Sequence, residues 1–446
     1  MSARPWGASL EIDLRQRAID VALDVADRLR TPQLVAAVVG EAPRPGDGAT
    51  RPAWMSHSLM VGHAGIALLH RQLDLCFPGA GWDEAALSAL EAALEAAEGA
   101  EFIELGLGSG LSGLALAAQL LAPADGDSEE LLQSLDELVA HGQGARIDAL
   151  RGARGGFASE VFDAIAGLSG VARYWLRRRA RAETARPRHD ALAALVALAG
   201  SDDGMPRWHT PPASMIPGAM AELFPAGYVD CGLAHGVAGP LAVLSLAQLH
   251  GVDVDGLAGA IAHFASWLCS IRCDDAWGSN WPYGVPLDAA RGATTQSAPG
   301  EPARAGWCYG SPGVGRSLYL AGRALGKAEL CAIGTQGIDS ALARPPHARR
   351  LSAQHLCHGA AGLLQIALRL QQDDPHETRR RAICEVAAGI VEHHAPDSLL
   401  GYRDTAPDGR AVDEPTFLTG APGIALTLLA AACDVEPAWD CALLLS

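Results

Sequence analysis

Basic residues are scarce in this chain: 34 Lys plus Arg face 51 Asp plus Glu, for a net charge of −17. Nucleic acid and anionic membrane surfaces are thereby disfavoured as partners, because both need basic surface to displace counterions. Long uncharged apolar runs are missing as well. No stretch of about 18 such residues occurs, so no membrane span is expected. The segment from Met1 to Asp13 has no apolar stretch behind positive charge. No secretory signal is therefore expected, and the cytoplasm is the expected compartment. There the ten cysteines are not expected to pair as disulfides. Aromatics are only 5% of the residues, while Ala and Leu dominate an apolar fraction of 49%. That mixture favours helix.

What is abundant is glycine, 50 residues of it, and seven of the Gly-x-x-Gly pairs form a pattern. They are Gly62/Gly65, Gly110/Gly113, Gly167/Gly170, Gly236/Gly239, Gly310/Gly313, Gly359/Gly362 and Gly420/Gly423, with first glycines 48 to 74 residues apart. Each opens an apolar stretch such as Ile66-Ala67-Leu68-Leu69. One such pair means little, but seven at a roughly constant interval indicate a repeat of helical hairpins. The stretches after the glycines are apolar all round, as buried helices are, whereas intervening segments such as 83–97 and 129–141 are amphipathic. The expected fold is all-α: an α/α toroid of seven inner and seven outer helices, with 1–446 as a single domain.

Closing the ring would bring the N-terminal mouths of the inner helices to one end of the barrel. The residues immediately before the first glycines are Val61, Ser109, Ala166, His235, Tyr309, His358 and Thr419. Cys308 and Cys357 stand one position earlier. Three consecutive mouths are therefore chemically loaded. Cys308 and Cys357 are 49 residues apart, one repeat. Together with His358 they form a soft donor set suited to zinc, with a fourth position open for catalysis. A thiol entering that position would lose its proton to the metal's field. The competing reading makes them core cysteines and a capping histidine. His355 is a rival ligand outside the repeat register. The remaining cysteines read as small core residues, including Cys269 and Cys273, a C-x-x-x-C pair placed on an apolar helix. His235 suits general acid/base work, with Asp163 orienting it or holding it charged; a helix cap is the alternative for Asp163. The one basic run, Arg177-Arg178-Arg179-Ala180-Arg181, reads as a solvated helix end, with a patch for an acidic peptide as the alternative.

The combination of Gly232-Leu233-Ala234-His235-Gly236, Trp307-Cys308-Tyr309-Gly310 and Cys357-His358-Gly359 resembles the lanthionine synthetase C family, the lanthipeptide cyclases. Asp163 with Gly167-Leu168-Ser169-Gly170, and Phe417-Leu418-Thr419-Gly420, extend the resemblance over roughly 55 to 435. It implies an α/α toroid holding Zn2+ on Cys308, Cys357 and His358. It also implies addition of peptide cysteine thiols to dehydroalanine or dehydrobutyrine, giving (methyl)lanthionine thioethers. His235 and Asp163 match the family's acid/base residues, and Trp307, Tyr309 and Arg304 match positions lining the site. No dehydratase or kinase region precedes the repeats, so the chain resembles the stand-alone class I cyclase. The implied partners are a dehydrated precursor peptide, a separate dehydratase and an exporter. Ser311 departs from the acidic residue common at its position. The stretch 200–232 resembles the family's irregular extension between the third and fourth inner helices, expected to contain some β structure. The segment 277–306, with Trp277, Trp281 and Tyr283, is a second irregular piece expected near the active site.

Two other enzyme readings and one binding reading compete. A family relative could add glutathione to dehydroamino acids, and a scaffold could bind peptide or dehydratase without catalysis. An α/α-toroid glycosidase would need two carboxylates across the cavity, and the loaded mouths offer only Asp163.

Overall fold

The computed structural model describes residues 5–41, 54–122, 128–152, 155–202, 204–215, 218–287, 301–405 and 409–446. A helix follows each of the seven glycine pairs' first members: His63–Cys76, Leu111–Leu121, Leu168–Arg177, Ala238–Leu249, Ser311–Leu325, Ala360–Asp373 and Ala421–Ala432. In six of them the first glycine is the residue just before the helix, and in the fourth Val237 intervenes. Burial matches composition. All twelve residues of Ala421–Ala432 are buried, as are Ser311 to Gly322 of the Ser311–Leu325 helix.

The helices between them are one-sided. Trp82–Glu98 buries Trp82, Ala85, Ala86, Ala89, Leu90 and Ala93, the three- and four-residue spacing of a single apolar stripe. Ile12–Asp27, Glu129–Gly152, Ala185–Leu198, Leu257–Ser270, Ala328–Ala343 and Glu377–Glu392 complete this second set. Apart from short antiparallel strand pairs, the regular structure of the described residues is helical. Among the described residues no helix is long and apolar enough to cross a membrane.

The residues group into two compact units. The first comprises Met1–Glu104, Gly108–Gln133 and Pro345–Cys441. In it His63–Cys76 packs on Trp82–Glu98, Ala360–Asp373 on Glu377–Glu392, and Ala421–Ala432 on Ile12–Asp27. The second comprises Leu105–Leu107, Ser134–Arg344 and Ala442–Ser446. In it Leu168–Arg177 packs on Ala185–Leu198, Ala238–Leu249 on Leu257–Ser270, and Ser311–Leu325 on Ala328–Ala343. The last pair meets backbone to backbone. A Cβ on Gly334 would lie 2.5 Å from the Gly315 carbonyl oxygen and 2.6 Å from the Tyr319 nitrogen.

The segment 200–232 contains the strand pair Ser201–Asp202 and Met205–Pro206, a short helix Ala219–Leu223, and the strand Tyr228–Asp230. That last strand pairs with Gly284–Pro286, setting Asp230 opposite Gly284. A ladder therefore joins the two irregular segments that the sequence presents as separate, although 203, 216–217 and 288–300 lie outside the described residues.

Three sequence expectations need correction. The helix bearing Cys269 ends at Ser270, and Cys273 belongs to the strand Cys273–Asp275, so the C-x-x-x-C pair does not share a helix. Of the cysteines read as core, Cys76, Cys269, Cys331 and Cys384 are half-exposed. In the basic run, Arg178 is not solvated. It is buried and pairs with Asp136 at 2.6 Å, and Asp136 also accepts the Tyr174 hydroxyl.

The packing at Gly334 gives a contrast measurable in stability. Gly334→Ala should lower the urea midpoint, reflecting a stability loss of about 1–3 kcal/mol from overpacking less the helix propensity gained. Gly389→Ala, on the Glu377–Glu392 helix with open space around it, should raise stability by roughly 0.5–1 kcal/mol. Equal shifts of the same sign for both would contradict the tight contact.

Candidate functional site

The turn before the Leu168–Arg177 helix is organised by one carboxylate. Asp163 is wholly buried. Its Oδ1 accepts the backbone N–H groups of Ile165, Ala166 and Gly167 at 3.0, 2.7 and 2.8 Å. Its Oδ2 lies 2.7 Å from Nδ1 of His235. The two readings of Asp163 thus coexist: one oxygen satisfies the turn leading into the helix, and the other holds an imidazole. A buried carboxylate is costly unless both oxygens are satisfied, and here both are.

Loss of hydration alone would lower the pKa of His235. The hydrogen bond and charge of Asp163, followed by the charges of Asp230 and Cys308, outweigh it and raise the pKa to about 9. The His235 side chain keeps 42% exposure despite this anchor. With Nδ1 committed to Asp163, Nε2 is the ring nitrogen available to a substrate.

The loop carrying His235 is docked on Cys308. The Cys308 carbonyl accepts the N–H of Leu233 at 2.9 Å and of Ala234 at 3.3 Å. Gly232 permits the approach, since a Cβ there would lie 2.6 Å from that carbonyl oxygen and 2.7 Å from the Tyr309 ring. Gly310, at φ +92°, turns the chain into the next helix, and a Cβ there would meet the Arg304 oxygen at 1.9 Å. Cys308 itself is buried, three residues ahead of the Ser311–Leu325 helix.

The residues around Cys308 differ in exposure. Trp307 is fully enclosed and donates from Nε1 to the Leu443 carbonyl at 2.9 Å. Tyr309 is half-buried, its ring 5.3 Å from that of Tyr283. Arg304 donates from Nε to the Tyr283 hydroxyl at 3.1 Å and lies over its ring.

Sequence reasoning missed Asp230. This carboxylate is buried, accepting the Gly232 N–H at 2.8 Å on Oδ1 and the Tyr309 hydroxyl at 2.9 Å on Oδ2. Burial pushes its pKa up to about 6, against the lowering pull of Gly232, His235 and Tyr309. Its position two residues before Gly232, in an otherwise apolar strand, was the available signal.

Cys357 and His358 occupy the equivalent place before the Ala360–Asp373 helix. The Cys357 N–H is held by the Leu418 carbonyl at 3.0 Å. His358 is half-buried, and its ring meets the His355 ring edge-on with centroids 4.4 Å apart. His355 is buried, with Nε2 3.9 Å from Asp404.

The ligand atoms of Cys308, Cys357 and His358 lie within 4.8 Å of one another. Among the described residues this is the only such group of three, and neither His355 nor the Cys269/Cys273 pair belongs to one. Two sulfurs and an imidazole nitrogen with that spread fit one ion held at roughly 2.0–2.3 Å from each. The softness of the donors favours zinc, and three protein ligands leave a position for a further donor.

Comparison with known proteins bears on the chain as a whole. The family model described as lanthionine synthetase C-like protein matches residues 53–444. The nisin biosynthesis protein NisC of Lactococcus lactis subsp. lactis is 23% identical over 304 residues, 66% of this chain and 69% of that protein. A solved structure of nisin cyclase superposes with a TM-score of 0.75 at 21% identity, covering 93% of this chain and 97% of that one. The match extends over most of the chain, and the chain belongs to the lanthionine synthetase C-like family.

Proposed function

We propose that this chain is a zinc-dependent lanthipeptide cyclase, joining peptide cysteine thiols to dehydroalanine or dehydrobutyrine as (methyl)lanthionine thioethers. The observation that carries the reading is the convergence of the Cys308, Cys357 and His358 ligand atoms within 4.8 Å. Family membership and the likeness to proteins named for nisin biosynthesis and nisin cyclase support it.

In this reading Cys308, Cys357 and His358 hold the metal. Zinc, when bound, lowers the pKa of an incoming peptide thiol so that thiolate is available near neutral pH. The thiolate sulfur forms a bond to the β-carbon of the dehydroamino acid, and the alkene electron pair moves toward the carbonyl as an enolate. His235 then gives a proton from Nε2 to the α-carbon, so that S and H have added across the double bond. Asp163 keeps the imidazole charged and aimed for that transfer. Asp230, through Tyr309, braces the wall beside it, and Arg304, Tyr309 and Trp307 are assigned to the lining of the site.

The substrate is a dehydrated precursor peptide. A dehydratase must act first to make the alkene, and an exporter is a natural later partner. The cytoplasm, where thiols stay reduced, is the assigned compartment.

Protein purified without chelator should contain about one zinc per chain by elemental analysis. Cys357→Ala should lose both the metal and cyclisation of a dehydrated, cysteine-containing peptide, scored by thiol alkylation and mass spectrometry. A metal-free wild type that still cyclised would overturn the reading.

His235→Ala should retain zinc and lose turnover by about 10²–10⁴-fold, the usual contribution of a general acid. Because Asp163 raises the His235 pKa, the proton needed for transfer is present through neutral pH and lost as pH rises through the folded value. Asp163→Asn should move that alkaline fall in rate to lower pH. An unmoved pH profile would remove Asp163 from its assigned role.

A further inference from the structure

The basic run at the end of the Leu168–Arg177 helix plays no part in the chemistry above. It borders a cavity of about 730 Å³ lined by Arg179, Arg186, Arg188, His189 and His250, with Asp253. All of these belong to the second compact unit. In a chain of net charge −17, so concentrated a set of cations calls for an explanation.

Their partners are few. Arg179 donates to the Leu176 carbonyl at 3.1 Å, and Arg188 to the Thr184 hydroxyl at 3.2 Å. Among the described residues neither has a carboxylate partner. Arg186, whose side chain is 92% exposed, reaches Asp190 only at 3.9 Å. Nε of Arg188 is buried without a hydrogen-bond partner.

The local field is positive in consequence. Loss of hydration and then the charges of Arg179, Arg173 and Arg177 push the His250 imidazole down to about 4. Loss of hydration and Arg179 also lower the pKa of Arg188. No carboxylate offsets either shift. His250 is thus a neutral imidazole at physiological pH, able to donate one hydrogen bond beside three permanent cations.

We propose that this cavity binds a ligand carrying clustered oxyanions, with Arg179 and Arg188 as its principal anchors and Arg186 at its rim. Guanidinium forks match carboxylate and phosphate oxygens in pairs, and such charge-assisted bonds are the strong ones. A ligand with two or more anionic groups would relieve the mutual repulsion of the arginines, which a single anion could do only in part. The same chemistry is offered by glutamate side chains on a peptide and by a free phosphoanion. Such a site would serve this chain whether or not it cyclises peptides.

The test is calorimetric titration of the full chain at low salt with two probes, N-acetyl tetraglutamate and inorganic pyrophosphate. One of them should bind at one per chain and weaken steeply with added NaCl. Pyrophosphate binding alone would identify a phosphoanion site, and tetraglutamate binding a site for acidic peptide. Arg179→Ala/Arg188→Ala should weaken the binding probe by about tenfold or more, on the order expected for lost charged hydrogen bonds. Arg186→Glu, at a side chain exposed enough to change without disturbing packing, should weaken it as well. Arg17→Ala, removing one exposed cation from the Ile12–Asp27 helix, should leave it unchanged. Absence of binding by both probes, or binding insensitive to Arg186→Glu and to the double variant, would overturn the assignment.

Discussion

The carbonyl oxygen of Cys308 accepts two amide hydrogens from the loop that carries His235. Much of the site's geometry follows from that contact. It ties the loop of the acid/base candidate to the backbone of a metal-ligand candidate. It exists only because Gly232 has no side chain: a Cβ there would overlap the Cys308 carbonyl and the Tyr309 ring. Tyr309 in turn hydrogen-bonds Asp230, whose other oxygen holds the N–H of Gly232 itself. The loop closes back on its own support, and the strand Tyr228–Asp230, paired with Gly284–Pro286, anchors the closure.

A second constraint is electrostatic. Two carboxylates, Asp163 and Asp230, are buried near one imidazole, and each is hydrogen-bonded by backbone amides. Asp163 holds the His235 imidazole at 2.7 Å and helps to raise its pKa to about 9, whereas burial pushes the Asp230 carboxyl up to about 6. The two carboxylates also differ in their donors. Asp163 collects three N–H groups from its turn, while Asp230 has one amide and two phenols, the Tyr228 hydroxyl lying 3.4 Å away. The turn at Asp163 thus leaves Oδ2 for the imidazole, whereas Gly232 and Tyr309 occupy the two oxygens of Asp230.

The parts of this arrangement that were legible in the sequence are those governed by repetition. The Gly-x-x-Gly pairs located all seven buried helices, because a tight entry turn and an all-apolar stretch leave local traces in the chain. Cys308, Cys357 and His358 share a register with those turns, and that register is what singles them out in the sequence. Asp230 is marked only by its place two residues before Gly232, because its side-chain partner Tyr309 lies 79 residues further on. Local composition carries no mark of such a pairing. The reading of Arg178 as solvated failed for a similar reason: Asp136, its partner, sits on a different helix 42 residues earlier. Cys273 was placed on a helix because apolar residues precede it, yet the strand it joins is set by pairing with Asn280.

His355 shows how the two kinds of information combine. Its sequence position, three residues before His358, made it a rival ligand, and the repeat register argued against it. The structure gives it a different relation to the site. Its ring abuts the ring of His358 edge-on, and its own Nε2 faces Asp404 across 3.9 Å. A ligating imidazole works best when its orientation is held by neighbours rather than left to rotate. His355 is buried and confined by its position against Gly359, where a Cβ would meet its backbone at 2.4 Å. The glycine just before the Ala360–Asp373 helix therefore packs on the backbone of the residue whose ring abuts a metal-ligand candidate. That links the repeat's structural requirement to its chemistry through one residue.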